Sequence, residues 1–316
     1  MSFDVLQEKI LEKHNPTVAG LDPKPEQIPA HILEAAYRDY GTGLADAAEA
    51  VWQFNRGLID ALCDVVPAVK PQAAYYERLG WRGMEVMERT IDYAHEKGLF
   101  VIADIKRGDI GSTAQAYADG WLAGTKVGEE TYKVFDADCV TLNGYMGSDT
   151  LKPFLDACKA NDKSMFVLVK TSNPGSGELQ NVAAGDSLIY QRMGGMVETL
   201  GEGLEGKYGY TPVGAVTGAT WPEELKDLRA RMPHTFFLVP GYGAQGGAAD
   251  DVAPAFDKRG LGAIVNSSRG IMCAWQKEGC DEHEYAAAAR REAIRMRDAI
   301  REAIVGRVGR IMLENV

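Results

Sequence analysis

The 316-residue sequence has no apolar run close to the length of about 20 residues that spans a bilayer. It also lacks a Lys/Arg-rich cluster, and its net charge at pH 7 is −11, whereas proteins that hold DNA or RNA need a basic face to neutralise phosphates. The opening stretch, MSFDVLQEKILEKH, is charged and amphipathic, unlike a secretory signal. We therefore expect no membrane and no nucleic acid as partner, and a cytoplasmic protein.

Cysteine is scarce, and Pro/Ser-rich linkers and internal repeats are missing. The five cysteines are odd in number and lack the spacing of metal sites; they are Cys63, Cys139, Cys158, Cys273 and Cys280. They are typical of reduced thiols that fill small gaps in a core. Without a linker to divide it, the chain 1–316 is predicted to form one domain.

What the chain does contain is a series of short apolar runs separated by stretches of helical periodicity. Eight runs are found, at 17–21, 65–70, 100–106, 138–143, 165–170, 213–219, 236–241 and 263–268. Alternating strand and helix predicts a parallel sheet with helical crossovers. Eight strands favour an α/β fold of the (β/α)8 TIM-barrel type. The rival is an open doubly wound sheet, but no G-x-G-x-x-G follows the first run.

The length beyond a minimal barrel falls in three places. Residues 23–50 follow the first strand and residues 173–193 follow the fifth. The segment EYAAAARREAIRMRDAIREAIVGR near the C-terminus predicts one long helix, because alanine and charged residues recur at helical spacing. We therefore expect a barrel with loop insertions and a long C-terminal helix.

Charged residues follow three neighbouring strands. Asp104, Lys106 and Asp109 form a D-x-K-x-x-D pattern in FVIADIKRGDIGSTAQAYA, Lys70 ends the preceding strand, and Asp22 follows the first. In a barrel, the carboxyl ends of the strands carry the active site. Charges that alternate in sign there can compensate one another when buried. The alternative is that Asp22, Lys70 and Asp109 are solvated loop charges.

The last two strands are followed by a different pattern. The loop VPGYGAQGG is rich in glycine, and NSSRGI adds an arginine. Barrels often bind phosphate with the loops after strands seven and eight, where backbone N–H groups and a helix N-terminus meet the oxygens. Gln245 and Arg269 are therefore predicted phosphate ligands, with a plain turn as the alternative.

Two further strand ends are ambiguous. In KTSNPGSG, Ser172 and Asn173 suit the recognition of a polar heterocycle or a turn ahead of a proline. In TLNGYMGSD, Asn143 and Tyr145 suit either the mouth of the barrel or a helix cap.

Taken together, these segments resemble a known family. ADIKRGDIGST, AGLDP, AVKPQAAYYE, VKTSNPGS, PGYGAQGG and NSSRGI match the longer bacterial form of orotidine 5′-monophosphate decarboxylase over nearly the whole chain. The D-x-K-x-x-D pattern alone also fits related sugar-phosphate decarboxylases and synthases. The resemblance implies conversion of orotidine 5′-monophosphate to uridine 5′-monophosphate and CO2, without a cofactor or metal.

The resemblance also implies roles for individual residues. Lys106 would protonate C6 of the pyrimidine, with Asp104 beside the substrate carboxylate. Lys70 and Asp22 would contact ribose hydroxyls, and Ser172 and Asn173 would lie on the pyrimidine side. Gln245 and Arg269 would hold the 5′-phosphate. Asp109 and Thr113 would reach into the active site of the other subunit of a homodimer.

Three alternatives stay open. A magnesium-dependent sugar-phosphate enzyme of the same suprafamily would carry a carboxylate ligand where this chain has Lys70. A Schiff-base aldolase would need a neutral lysine amine. A non-catalytic nucleotide-binding barrel would keep the phosphate loops but have no need of alternating lysines and aspartates.

Overall fold

Eight parallel strands close into a barrel in the computed structural model, which describes residues 2–243 and 248–309. Each strand pairs with the next, and the last pairs with the first. The strands are β1 Thr17–Leu21, β2 Ala68–Pro71, β3 Phe100–Arg107, β4 Cys139–Leu142, β5 Ser164–Lys170, β6 Val213–Thr217, β7 Phe237–Val239 and β8 Ala263–Ser267. Each overlaps one of the eight predicted runs, and the predicted barrel is confirmed.

Except for the N-terminal helix, which precedes β1, the helices follow the strands and cover the outside of the barrel. The α-helices are Ser2–Glu12, Ala30–Tyr40, Leu44–Leu62, Ala73–Glu77, Trp81–Glu96, Gly111–Ala118, Ser148–Asn161, Gly177–Gln180, Ile189–Gly201, Pro222–Arg231, Ala249–Val252, Arg269–Met272, Ala274–Glu278 and Tyr285–Val308. A π-helical segment spans Asp119–Ala123. Two small hairpins join Thr125–Val127 to Glu130–Tyr132 and Ala183–Ala184 to Ser187–Leu188.

The predicted insertions and the C-terminal helix are all present. Residues 23–50 contain the helix Ala30–Tyr40, and residues 173–193 contain a short helix and a hairpin. The long helix Tyr285–Val308 packs against Leu44–Leu62 and against the short helices after β7 and β8. Its buried residues recur at helical spacing, because one face meets these neighbours: Ala288, Ala289, Ala293, Met296, Ile300 and Ile304.

Alternation along β3 separates two cores. Val101 and Ala103 point outward into the core beneath the helices, whereas Ile102 points inward. Inside the barrel, the N-terminal helix inserts Phe3, whose ring centroid lies 4.8 Å from that of Phe166. Burying a phenylalanine stabilises a fold by about 1.5–3 kcal/mol. This helix closes the amino-terminal end of the barrel, and the carboxyl ends of the strands form the open end.

Among the helices of residues 2–243 and 248–309, none combines the length and the hydropathy needed to cross a membrane.

Candidate active site

A cavity of about 710 Å³ lies at the carboxyl ends of the barrel strands. Seven of the predicted site residues line it: Asp22, Lys70, Asp104, Lys106, Ser172, Asn173 and Arg269. Asp109 and Thr113 do not line it, and Gln245 lies outside the described residues. The charged residues on its wall are four cations and two carboxylates: Lys24, Lys70, Lys106, Arg269, Asp22 and Asp104. The cavity wall is therefore positive, although the whole chain carries a net charge of −11.

Asp104 is the centre of a charge network. Its Oδ2 lies 2.7 Å from Nζ of Lys70, and its Oδ1 lies 2.6 Å from Nζ of Lys106. Lys70 and Asp104 are buried, whereas the Lys106 side chain keeps 44% of its surface exposed, within the cavity. The network thus buries one ion pair and leaves a second ammonium available to a ligand.

The environment keeps the buried pair ionised. Burial alone would raise the pKa of Asp104, but the ammonium groups of Lys70 and Lys106 lower it well below its usual range. Burial alone would likewise lower the pKa of Lys70, but attraction to Asp104 and Asp22 raises it above its usual value. Opposite charges within a few ångströms favour the charged forms. Lys70 is therefore an ammonium.

Thr141 on β4 completes this network and was not predicted. Its hydroxyl donates to Oδ1 of Asp104 over 2.8 Å and accepts the backbone N–H of Lys106 over 3.0 Å. Strand alternation in DCVTLN could have identified it, because Cys139 and Thr141 share the face that points into the barrel. Thr141 fixes both the carboxylate and the backbone of the adjacent lysine.

Lys106 has an unusual backbone conformation. Its φ is +46°, in the left-handed region that residues with a side chain rarely adopt. The pairing of β3 with β4 also shifts register between Ala103 and Arg107. A β-bulge re-aims side chains at the end of a strand. The strained turn brings the Lys106 ammonium back to Asp104, two residues earlier in the chain.

Two polar oxygens in the cavity wall have no hydrogen-bond partner within the described part of the chain. They are Oδ1 of Asp22 and Oδ1 of Asn266, and both atoms are buried. A buried oxygen without a donor costs about 1–3 kcal/mol. A ligand hydroxyl or N–H group placed here would remove that cost. Asn266 lies in NSSRGI, but the sequence reasoning did not assign it.

The loop after β5 forms one wall of the cavity. The Thr171 hydroxyl donates to Oδ1 of Asn173 over 2.7 Å, and Gln180 bonds the Thr171 backbone N–H and hydroxyl. Ser172 packs against the residue that follows β6, since a Cβ atom at Gly218 would lie 3.0 Å from the Ser172 Cα. Both Ser172 and Asn173 line the cavity, although Asn173 also takes part in the turn.

The loop after β4 serves as a turn. Oδ1 of Asn143 accepts the backbone N–H of Tyr145 over 3.0 Å. Both side chains are exposed and do not line the cavity. Neither role considered for these two residues is therefore observed: they do not reach the cavity, and the helix that follows, Ser148–Asn161, is capped at Gly147 without a side-chain bond.

The loops after β7, β8 and β1 meet on the opposite side of the cavity. Gly241 has a φ of +102°, and a Cβ atom at Gly20 would lie 1.9 Å from Oγ of Ser268. Glycine is therefore required at position 20 for the β8 loop to approach β1. Ser268 and Arg269 line the cavity on this side.

Asp109 and Thr113 are placed differently from the other predicted residues. Asp109 accepts the backbone N–H of Ile110 over 2.8 Å, and the structure gives it no ion pair with Lys106 within this chain. Thr113 is exposed. Within this chain, neither residue lines the cavity.

One group of potential metal ligands occurs in the described residues, away from the cavity. His31, Glu282 and His283 bring ligand atoms within 4.8 Å of one another. However, the Glu282 carboxylate caps the helix Ala30–Tyr40 by accepting two backbone N–H groups. The two imidazole rings stack with centroids 4.1 Å apart, so their in-plane lone pairs do not converge on one point. This cluster suits a helix cap better than a metal centre.

Comparisons with known proteins agree on one family. Residues 45–278 match the model of the orotidine 5′-phosphate decarboxylase / HUMPS family. The orotidine 5′-phosphate decarboxylase of Rhodopirellula baltica is 43% identical over 94% of this chain and 97% of its own length. That of Clostridium perfringens is 42% identical over 96% of this chain and 100% of its own length. The structure of Leishmania donovani OMP decarboxylase superposes with a TM-score of 0.68 at 31% identity, covering 94% of this chain and 99% of that one.

Proposed function

The chain belongs to the orotidine 5′-phosphate decarboxylase family, and we propose that the Lys70–Asp104–Lys106 network is the machinery of its reaction. The enzyme converts orotidine 5′-monophosphate to uridine 5′-monophosphate and CO2, a step of pyrimidine biosynthesis. The observation that supports the assignment of the machinery is the exposed ammonium of Lys106, held 2.6 Å from the buried carboxylate of Asp104.

The reaction needs a positive charge at a defined place. When the bond between C6 and the carboxylate breaks, CO2 leaves and the electron pair remains on C6 in the plane of the ring. The adjacent carbonyls cannot delocalise that pair. A fixed ammonium close to C6 stabilises the developing charge, most strongly where water is scarce. Lys106 then donates its proton to C6, and the neutral amine regains a proton from solvent.

The buried partners orient this ammonium. Asp104 accepts from Lys70, Lys106 and Thr141, so its position is fixed from three sides. Its negative charge would also face the substrate carboxylate, and departure of neutral CO2 relieves that repulsion. Because Lys70 compensates Asp104 directly, the carboxylate is not left free for a divalent cation, which argues against the magnesium-dependent alternative.

The rest of the nucleotide fits the remaining walls. The buried, unpaired oxygen of Asp22 can accept a ribose hydroxyl, and Lys70 borders the same space. Ser172 and Asn173 supply the polar groups for the pyrimidine. Arg269, together with Gln245 from the preceding Gly-rich loop, would hold the 5′-phosphate. Phosphate binding far from the broken bond lets binding energy order the site.

We further propose a homodimer in which Asp109 and Thr113 enter the partner's active site. Ile110 and Tyr145 flank this region on adjoining loops, with 62% and 76% of their surfaces exposed. The two loops touch, since a Cβ atom at Gly108 would lie 2.8 Å from the Asn143 carbonyl oxygen. Large exposed apolar residues on contiguous loops are typical of an interface between proteins.

The proposed enzyme is one decarboxylase domain over 1–316 that works in the cytoplasm without a cofactor or metal. The five cysteines are free thiols, which suits a reducing compartment.

The test is direct. Orotidine 5′-monophosphate is mixed with the purified protein, and the ultraviolet absorbance is followed as orotate is converted to uracil. A steady change in absorbance, with one CO2 released per nucleotide, supports the assignment. An unchanged spectrum, with the nucleotide still bound to the protein, would instead indicate a non-catalytic nucleotide-binding barrel. Reduction with borohydride in the presence of a keto-sugar phosphate would trap a Schiff-base enzyme, and we expect no adduct.

A further inference from the structure

Lys170, the last residue of β5, is a buried cation that the proposed mechanism does not use. Only 2% of its side chain is exposed, and it does not line the cavity. The register of β5 against β6 shifts here: Leu168 pairs with Val216, but Lys170 pairs with Thr217. Leu168 lines the cavity, and strict alternation would place Lys170 on the same face. The bulge at the end of β5 therefore turns Lys170 away from the cavity.

The Lys170 ammonium is fully surrounded. It donates to Oδ1 of Asn181 over 2.6 Å and lies 3.1 Å from Oε2 of Glu224. The rings of Tyr190 and Trp221 lie around it, with centroids 5.2 Å and 5.6 Å from Nζ. A buried ion that loses its partner is strongly destabilising, so all these groups must keep their positions together.

These contacts connect the loop after β5, which lines the cavity, to the helix after β6. Asn181 ends the segment that follows β5, and its Nδ2 also donates to Glu224 over 3.4 Å. Glu224 lies in the first turn of the helix Pro222–Arg231, where the helix dipole favours a carboxylate. Ser172 and Asn173 line the cavity and lie along the chain between Lys170 and Asn181.

We infer that Lys170, through Asn181 and Glu224, is a positioning residue for the wall that recognises the pyrimidine. The inference rests on the proposed function, since it takes Ser172 and Asn173 as that wall. The cation holds the ends of the β5 loop against the β6 helix, and Gln180, next to Asn181, holds the Thr171 backbone N–H. Loss of the cation leaves the partly buried Glu224 carboxylate without its counter-ion and releases the loop, while the phosphate side of the cavity is untouched.

The test compares two ligands that differ only in the base. Uridine 5′-monophosphate carries the pyrimidine, whereas ribose 5-phosphate lacks it. Lys170→Met should weaken binding of uridine 5′-monophosphate by about tenfold, equivalent to about 1.4 kcal/mol. Its affinity for ribose 5-phosphate should stay within about twofold of wild type, because the sugar and phosphate contacts lie elsewhere. Calorimetric titration measures both.

Lys163 supplies a matched control. It precedes the opposite end of β5, keeps only 11% of its side chain exposed, and pairs with Asp136 and Asp138. Lys163→Met also removes a nearly buried cation, but far from the cavity. It should lower thermal stability without changing the ratio of the two affinities. If Lys170→Met does not fold, Glu224→Gln keeps the shape of the side chain and removes its charge, and the same selective loss is expected.

Equal losses of both ligands, or no loss of either, in Lys170→Met or Glu224→Gln would overturn the inference. A change of the affinity ratio in Lys163→Met as large as that in Lys170→Met would also overturn it. Failure of the proposed function gives a different result: the wild-type protein would not decarboxylate orotidine 5′-monophosphate and would not prefer uridine 5′-monophosphate over ribose 5-phosphate.

Discussion

Replacement of Lys106 by alanine tests the central assignment. A unit charge about 4 Å from the developing carbanion contributes about 4 kcal/mol at an effective dielectric constant near 20, or roughly 10³ in rate. Loss of the proton donor removes a further factor of about 10²–10⁴. Lys106→Ala should therefore lower the turnover number by at least about 10⁵-fold.

The variant should still fold and bind product. Asp104 keeps Lys70 and Thr141 as partners, so the buried carboxylate stays compensated. The assay follows orotate absorbance for turnover and uses calorimetric titration with uridine 5′-monophosphate for binding. Turnover within about tenfold of wild type, in a variant that binds product normally, would refute the role of Lys106 as the acid.

Lys106→Gly is the matched control for folding. Its turnover should match that of Lys106→Ala, because both lack the ammonium. Glycine adopts the observed φ of +46° without strain, so this variant should be more stable than the alanine variant by about 1 kcal/mol. Thermal denaturation measures the difference. A glycine variant less stable than the alanine variant would contradict the left-handed conformation.

Four further outcomes follow from the structure. Arg269→Ala should weaken binding of uridine 5′-monophosphate much more than binding of uridine, and equal losses would contradict a phosphate role. Mixing inactive Lys106→Ala with inactive Asp109→Ala should restore about a quarter of wild-type activity, since half the dimers carry one intact site, and no recovery would contradict a shared site. Because folding lowers the pKa of Asp104, this carboxylate contributes its full stability above its unfolded pKa of about 3.9 and loses that contribution as the pH falls below it. The free energy of unfolding, measured against pH, should therefore fall less steeply in acid for Asp104→Asn than for wild type. Treatment with EDTA should leave the rate unchanged, and loss of activity restored by magnesium would favour the metal-dependent alternative.

The barrel could be predicted because its signal is local and repeated. Strands covered on both faces consist of continuous apolar runs, so each one stands out from the helical periodicity around it. The end of each strand then indicates which side chains meet, and Lys70, Asp104 and Lys106 do meet at one end. Once the sheet is known to close into a barrel, the positions of these residues at the ends of neighbouring strands are enough to predict that they meet.

Most of the remaining features of the site depend on geometry that the residue pattern does not show. The left-handed conformation of Lys106 and the bulge before Lys170 are departures from regular strand alternation. Thr141 and Asn266 are polar residues within apolar runs. Strand alternation shows which face of the sheet such a side chain lies on, but not which group it bonds. Asp109 does not line the cavity of this chain, and the role proposed for it depends on a second copy of the chain.

The charge of the cavity wall has a consequence for how fast a nucleotide arrives. A negative protein as a whole repels an anion, while four cations facing two carboxylates attract it at short range. Dissolved salt weakens the long-range repulsion first, because the screening length is about 8 Å at physiological ionic strength. The rate of nucleotide binding should therefore rise when salt is first added to dilute buffer and fall at higher salt concentrations. This non-monotonic dependence distinguishes the attraction by the cavity wall from the repulsion by the net charge of the whole chain.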